Sequence, residues 1–338
     1  MRSEKLLCAA ALTIALAVPA LAQAPAPADR LLPSTAAAYA QYQGEVSNIM
    51  AKPMANAADV DKALNTFGSP NPDQLSSAWI SYSAIVAAQN KDFADAVRDI
   101  DSYYGRDRVM TGMRNDVGYA RTLKGGEKAL QDALVVNAKD SSRISAAGAF
   151  VREQAGKLNT IAWGKSRVKD PQANAVKLKT DALLVRPVTD AAKKLFTGPD
   201  LNTMLASVSP QSDKSIWDKI SVFTASAPAT ALSTLSPVVV AQPTMKVDPK
   251  HVGTANRIVT LAAFHVIEAE KSNQDDVKAA MSDKTTTGCI DWAQMQLQAC
   301  VSAAFTRSEI SYCLARHGLQ LAGETQPSIG ACFSDLAK

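Results

Sequence analysis

The chain has 338 residues, enough for one large domain or two, and its 47% hydrophobic content supplies a real core and excludes an intrinsically disordered chain. Aromatics make up only 6%, and the hydrophobic share leans on alanine, the best helix former. Alternating Val, Ile and Tyr are scarce, which excludes a β-dominated fold. The net charge of +4 is unevenly spread: residues 98–195 carry 19 Lys/Arg against 11 Asp/Glu, while both flanks are acidic.

Arg2 and Lys5 precede an apolar run, Leu6 to Val18, that is too short to span a bilayer. Pro19 then interrupts it, and Ala20-Leu21-Ala22 has the small-x-small pattern read by a signal peptidase. Residues 1–22 are therefore expected to be a cleaved signal peptide, placing the mature chain in a bacterial periplasm. No later segment is apolar for long enough to cross a membrane. Residues 23–33 (QAPAPADRLLP) read as a disordered lead.

Residues 34–224 read as a helical region with a basic centre at 98–195. Tyr39, Tyr42, Val46, Ile49 and Met50 form a first apolar stripe at helical spacing. A second stripe runs from Leu75 through Trp79 and Tyr82 to Val86, with Asn71-Pro72-Asp73 as its start. A third is Phe93, Ala96, Val97, Ile100 and Tyr103, with Asp92 as cap and Gly105 as stop. Ile216, Trp217, Ile220 and Phe223 form a fourth. These aromatics are read as core, and no repeat recurs at a constant period.

The densest basic patch comprises Lys157, Lys165, Arg167 and Lys169 beside Trp163. Outside the cytoplasm its acidic counterparts would be peptidoglycan, lipopolysaccharide or an anionic lipid surface, not nucleic acid. The competing reading is a solvated helical face.

Residues 225–247, rich in Pro, Ala, Ser and Thr, read as a linker or surface strap. A helical module at 248–338 follows, opened by the cap Asp248-Pro249. It holds the four cysteines left after signal cleavage, an even number in an oxidising compartment. Cys300 and Cys313 stand equally far from a turn centred between Thr306 and Arg307, so an antiparallel hairpin puts them face to face. Cys289, just before the hairpin, is left to pair with Cys332. The rival is a zinc site on Cys313 and His317, but the cysteine spacings match no zinc pattern.

His265 lies on the most apolar helix, where a core histidine with one hydrogen-bond partner is expected; Glu268, at i+3, is its candidate partner. Ser166-x-x-Lys169 lacks the companion motifs of its enzyme class, and no metal, cofactor or phosphate-loop motif occurs. The fold expected is all-α, a multi-helix bundle or irregular helical array with a small disulfide-stapled hairpin module at the C-terminus. The function expected is an exported, non-catalytic structural or protein-interaction component of the cell envelope. The alternatives are a binding module for an anionic polymer or lipid head group, and an uncharacterised envelope enzyme.

Overall fold

Asn71 caps the helix that the Asn-Pro-Asp run announces: its side chain accepts the Gln74 N–H at 2.9 Å, and Pro72 occupies the first helical position. This helix belongs to a computed structural model that describes residues 30–197, 215–218, 245–323 and 325–336. Among the described residues there are 13 α-helices and no strands.

The first nine are α1 (Leu31–Ala51), α2 (Ala57–Gly68), α3 (Pro72–Ala87), α4 (Lys91–Tyr104), α5 (Arg106–Asn115), α6 (Tyr119–Thr122), α7 (Gly126–Leu158), α8 (Pro171–Ala182) and α9 (Asp190–Thr197). After the 3₁₀ turns Ile216–Asp218 and Pro249–His251 come α10 (Val252–Val266), α11 (Gln274–Met281), α12 (Lys284–Ala303) and α13 (Arg307–Cys313). A π-helical turn, Leu314–Gly318, and a 3₁₀ turn, Ala331–Phe333, complete the order. The signal peptide, residues 23–29, Ile220, Phe223 and residues 225–244 of the expected linker lie outside the described residues.

Three local expectations are corrected. Tyr103, read with its stripe as core, is 81% exposed at the end of α4, where no neighbouring helix covers it. The cap of α4 is Asn90, which accepts the Phe93 N–H, and Asp92 instead sits inside the first turn, where a carboxylate complements the helix dipole. The first helix begins at Leu31, inside the segment read as a disordered lead. Leu32 and Pro33 are buried, and the Leu32 N–H donates to Glu270 Oε2 at 3.0 Å. Leu32 has a core to enter, and Pro33 falls in the first turn, where its missing N–H costs no helical hydrogen bond.

The helix α3 is buried nearly all round, with α1, α10, α7 and α12 against it. Tyr39, Tyr82 and Trp217 form an aromatic cluster, and Phe333 joins it from the far end of the chain, 5.6 Å from both Tyr39 and Trp79. Buried residues from Leu32 to Leu336 thus belong to one contiguous core. The stretches on either side of the Pro-rich segment share that core. Met245 at the end of that segment is held by Gln131, which accepts its N–H and donates to its carbonyl.

The disulfides are Cys300–Cys313 and Cys289–Cys332, each with a Cα–Cα distance of 5.7 Å. Thr306 starts α13 with a capping box to Glu309, setting the turn that brings the inner pair together. Cys289 lies within α12, not before it, because Asp283 caps that helix through the Thr286 N–H.

Candidate interaction face

The long helix α7 ends at Leu158, and residues 159–170 carry the chain back toward α8. Gly164 sits hard against the Leu158 carbonyl, leaving no room for a Cβ, so only glycine permits this reversal. Trp163 is half-buried against the core and Val168 is buried. The α12–α13 turn pins the loop from the other side: the Val168 N–H donates to Phe305 O at 2.8 Å, and the Ser308 N–H donates to Gly164 O at 3.2 Å. Arg167 bridges to Thr306 through the backbone, and Arg307 Nη1 donates to Ser166 Oγ at 3.0 Å.

That framework brings Lys165, Arg167 and Lys169 to the surface of one fixed loop. All three are exposed, and among the described residues none is in an ion pair. Lys157 differs: its ammonium pairs with Glu153 at 2.6 Å, one helical turn back. Trp163 is not an exposed recognition aromatic but an anchor holding the loop to the core. The predicted patch is therefore brought together in three of its cations, with Arg307 added by the fold.

The same side of the molecule carries exposed apolar side chains that sequence reasoning assigned no role. The helices α8 and α12 pack against each other, and both Leu178 and Leu297 close on Gly68. They run antiparallel. The start of α8 lies beside Phe305 at the end of α12. Its end, Ala182, accepts from Asn71, near the place where Asp73 accepts from Thr287 at the start of α12.

Their inward faces bury Ala175, Leu178 and Ala182 on α8, and Ile290, Ala293 and Leu297 on α12. Their outward faces carry Val176 and Leu183, seven residues apart, and Trp292 and Met295, three apart. Leu184 and Val185 follow, and Phe305 projects from the turn next to the basic loop. Leu183 is 76% exposed, Phe305 65% and Trp292 51%. Helical spacing marks both the inward and the outward sets, so the pattern alone reads each as core.

The candidate histidine pair is reassigned. His265 Nδ1 is 2.5 Å from Glu270 Oε1, and the buried Glu270 also accepts the Leu32 N–H. Glu268 is turned away because its backbone is left-handed (φ 56°), and it meets Arg30 and Lys271. Lys271 beside it holds its carboxyl below the usual range. His265 thus ties the end of α10 to the start of α1. It borders an open cleft of about 410 Å³ that also includes Arg30, Lys91 and Arg98. Lys91 and Arg98 both pair with Asp95, and Arg30 pairs with Glu268. The sulfur of Cys313 is bonded to Cys300, and His317 Nδ1 meets Pro327 O at 3.1 Å, so the two do not form the zinc pair considered.

Sequence reasoning also missed a buried polar cluster on α7. Asp140 accepts from Ser215 Oγ at 2.7 Å and from Trp217 Nε1 at 2.9 Å. Arg143, one turn on, donates to Asp218, to Gln43 and to Ser47. Burial, the dominant cause, pushes the Asp140 carboxyl up to about 6, against the lowering by Ser215, Trp217 and Arg143. The i, i+3 spacing of Asp140 and Arg143 in an Ala-rich helix was the available signal. Every group in the cluster is committed to another, which makes it a fastening for residues 215–218 and not an open site. No family model, curated protein or solved structure matches the chain.

Proposed function

We propose that this protein is an exported, non-catalytic binding component of the bacterial cell envelope, whose basic centre engages an anionic surface. The observation that supports this most directly is the placing of Lys165, Arg167 and Lys169 on one pinned loop, exposed and unpaired with carboxylates. A solvated face balances its charges locally, as Lys157 does with Glu153 and Lys177 with Asp181. Three unbalanced cations on a loop held at both sides form a fixed positive field instead. The two disulfides, and the absence of any long apolar helix among the described residues, fit an extracytoplasmic chain released by its signal peptide.

The test is co-sedimentation of the mature protein with peptidoglycan, lipopolysaccharide and anionic vesicles over a salt series. Binding by the parent should weaken steeply with ionic strength, and the Lys165→Gln/Arg167→Gln/Lys169→Gln variant should lose most of it. A triple variant that binds as the parent does, or a parent that binds none of the three, overturns the reading.

A further inference from the structure

We infer that the anionic surface is a lipid bilayer, met by the outward faces of α8 and α12 together with the Phe305 turn. This rests on the reading of the basic centre given above and names its partner. Most of the large apolar side chains that are conspicuously exposed in the described structure fall on this one side: Val176, Leu183, Leu184, Val185, Trp292 and Met295, with Phe305 beside them. A folded chain has no internal use for an exposed Leu-Leu-Val run near an exposed Trp and Met. Gathering such residues costs solubility unless another phase receives them.

The charge pattern favours lipid as that phase. Lys165, Arg167 and Lys169 flank Phe305, and the exposed Lys179 lies near the apolar run at the end of α8, whereas Arg186 beyond it is turned inward onto the carbonyls of Asn65 and Thr66. The carboxylates of the neighbourhood are mostly engaged internally. Asp170 caps α8 through the Ala173 N–H, Glu309 closes the capping box of α13, and Asp181 pairs with Lys177. Asp291 is the exception: it is exposed beside Trp292, and partial burial followed by the nearby Asp73 raises its carboxyl above the usual range.

The apolar residues project from the outward sides of two packed helices and from the turn beside them, with cations at their edge, an arrangement suited to a head-group layer. Trp292 and Phe305 are the residue types that settle at that depth, with lysine and arginine reaching phosphate above them. No helix among the described residues is long and apolar enough to span, so the contact is one of lying on the surface.

Vesicles of phosphatidylcholine, alone or mixed with phosphatidylglycerol, provide the probe. The mature protein should bind the mixed vesicles and not the zwitterionic ones. A Leu183→Ser/Trp292→Ser variant, altered only at exposed positions, should bind at least about tenfold more weakly. Trp79 and Trp217 are buried and Trp163 is half-buried, so the part of any blue shift of tryptophan emission on binding that is lost in Trp292→Phe reports Trp292, and it should be the larger part.

Binding to peptidoglycan that needs Lys165, Arg167 and Lys169 but ignores Leu183 and Trp292, without vesicle binding, overturns the bilayer inference and leaves the anionic-surface reading standing. Self-association of the parent that Leu183→Ser/Trp292→Ser abolishes, again without vesicle binding, assigns the face to a second copy and overturns the inference. A parent that binds neither vesicles nor polymer overturns both.

Discussion

The indole Nε1 of Trp217 donates to Asp140 Oδ2 at 2.9 Å, joining residues 77 apart in sequence inside the helical core. The hydroxyl of Tyr39, on α1, reaches the same oxygen at 3.5 Å, and Gln43 donates to that hydroxyl at 2.9 Å. One carboxylate on α7 therefore orders residue 217 and orients α1, and its own titration is the consequence. Its pKa is raised from 3.8 to about 6 on folding, so the folded state holds a proton that the unfolded chain has released. The stability this group contributes is fully present below pH 4 and is lost as the pH rises toward 6. At two pH units the effect is about 2 to 3 kcal/mol. Asp140→Asn keeps a neutral group of the same shape, with the amide oxygen facing Trp217 Nε1. Urea unfolding of parent and variant across pH 4–7 should show the parent losing stability relative to Asp140→Asn over that interval. Parallel curves would refute the assignment.

Arg143 is buried with Asp218, its Nε 2.7 Å from Oδ1, while its other nitrogens serve Gln43 and Ser47 on α1. Truncation strands all of these acceptors in a dry setting. Arg143→Met should cost about 3 to 5 kcal/mol. The double variant Arg143→Met/Asp218→Leu should recover part of that loss, because the stranded charge is then gone as well. Calorimetric melting of the two variants decides it, and a double variant no more stable than the single would count against the pairing.

The disulfides close loops of different length, with sequence separations of 13 for Cys300–Cys313 and 43 for Cys289–Cys332. In the chain-entropy model they contribute about 3 and about 4 kcal/mol. The effect of the longer one should spread beyond the hairpin. It holds the segment whose Phe333 packs on Tyr39, Tyr42 and Trp79. Cys289→Ala/Cys332→Ala should therefore raise amide exchange in α1 and α3 as well as in residues 325–336, whereas Cys300→Ala/Cys313→Ala should act mainly at the α12–α13 turn.

Gly148 in α7 lies where the Gln320 backbone crosses the helix, and a Cβ there would fall within 1.9 Å of the Gln320 carbonyl oxygen. Backbone cannot swing aside as a side-chain tip does, so Gly148→Ala should destabilise by about 3 kcal/mol or more. Gly156, on the same helix, faces open space, and Gly156→Ala should stabilise by up to about 1 kcal/mol. Thermal denaturation should move the two variants in opposite directions.

The helical class, the starts at Asn71 and Thr306 and the disulfide pairing were legible because each depends on residues close in sequence or on counting from a turn. Asn71 and Thr306 cap where their spacing to the next apolar run demands. Cys300 and Cys313 face each other because a hairpin equalises their distance from Thr306. The basic loop was legible in composition, but the sorting of its members was not: Lys157 and Lys165 look alike until Glu153 is seen beside one and open surface beside the other. His265 was recognised as an oriented histidine. Its partner is Glu270 and not Glu268, because a left-handed residue at 268 rotates the chain.

Local chemistry by itself thus determined an Ala-rich helical chain, some of its capping sites, its cross-links and the region where positive charge gathers. Those features follow from propensity, periodicity and parity, which need no knowledge of neighbours in space. Only the tertiary structure decided which side of each apolar stripe meets the core. The spacing that buries Ile290, Ala293 and Leu297 on α12 also sets out Trp292 and Met295 toward solvent. A 3.6-residue period reports that an apolar face exists. Which face lies inward depends on where Gly68, Leu178 and the rest of the core arrive.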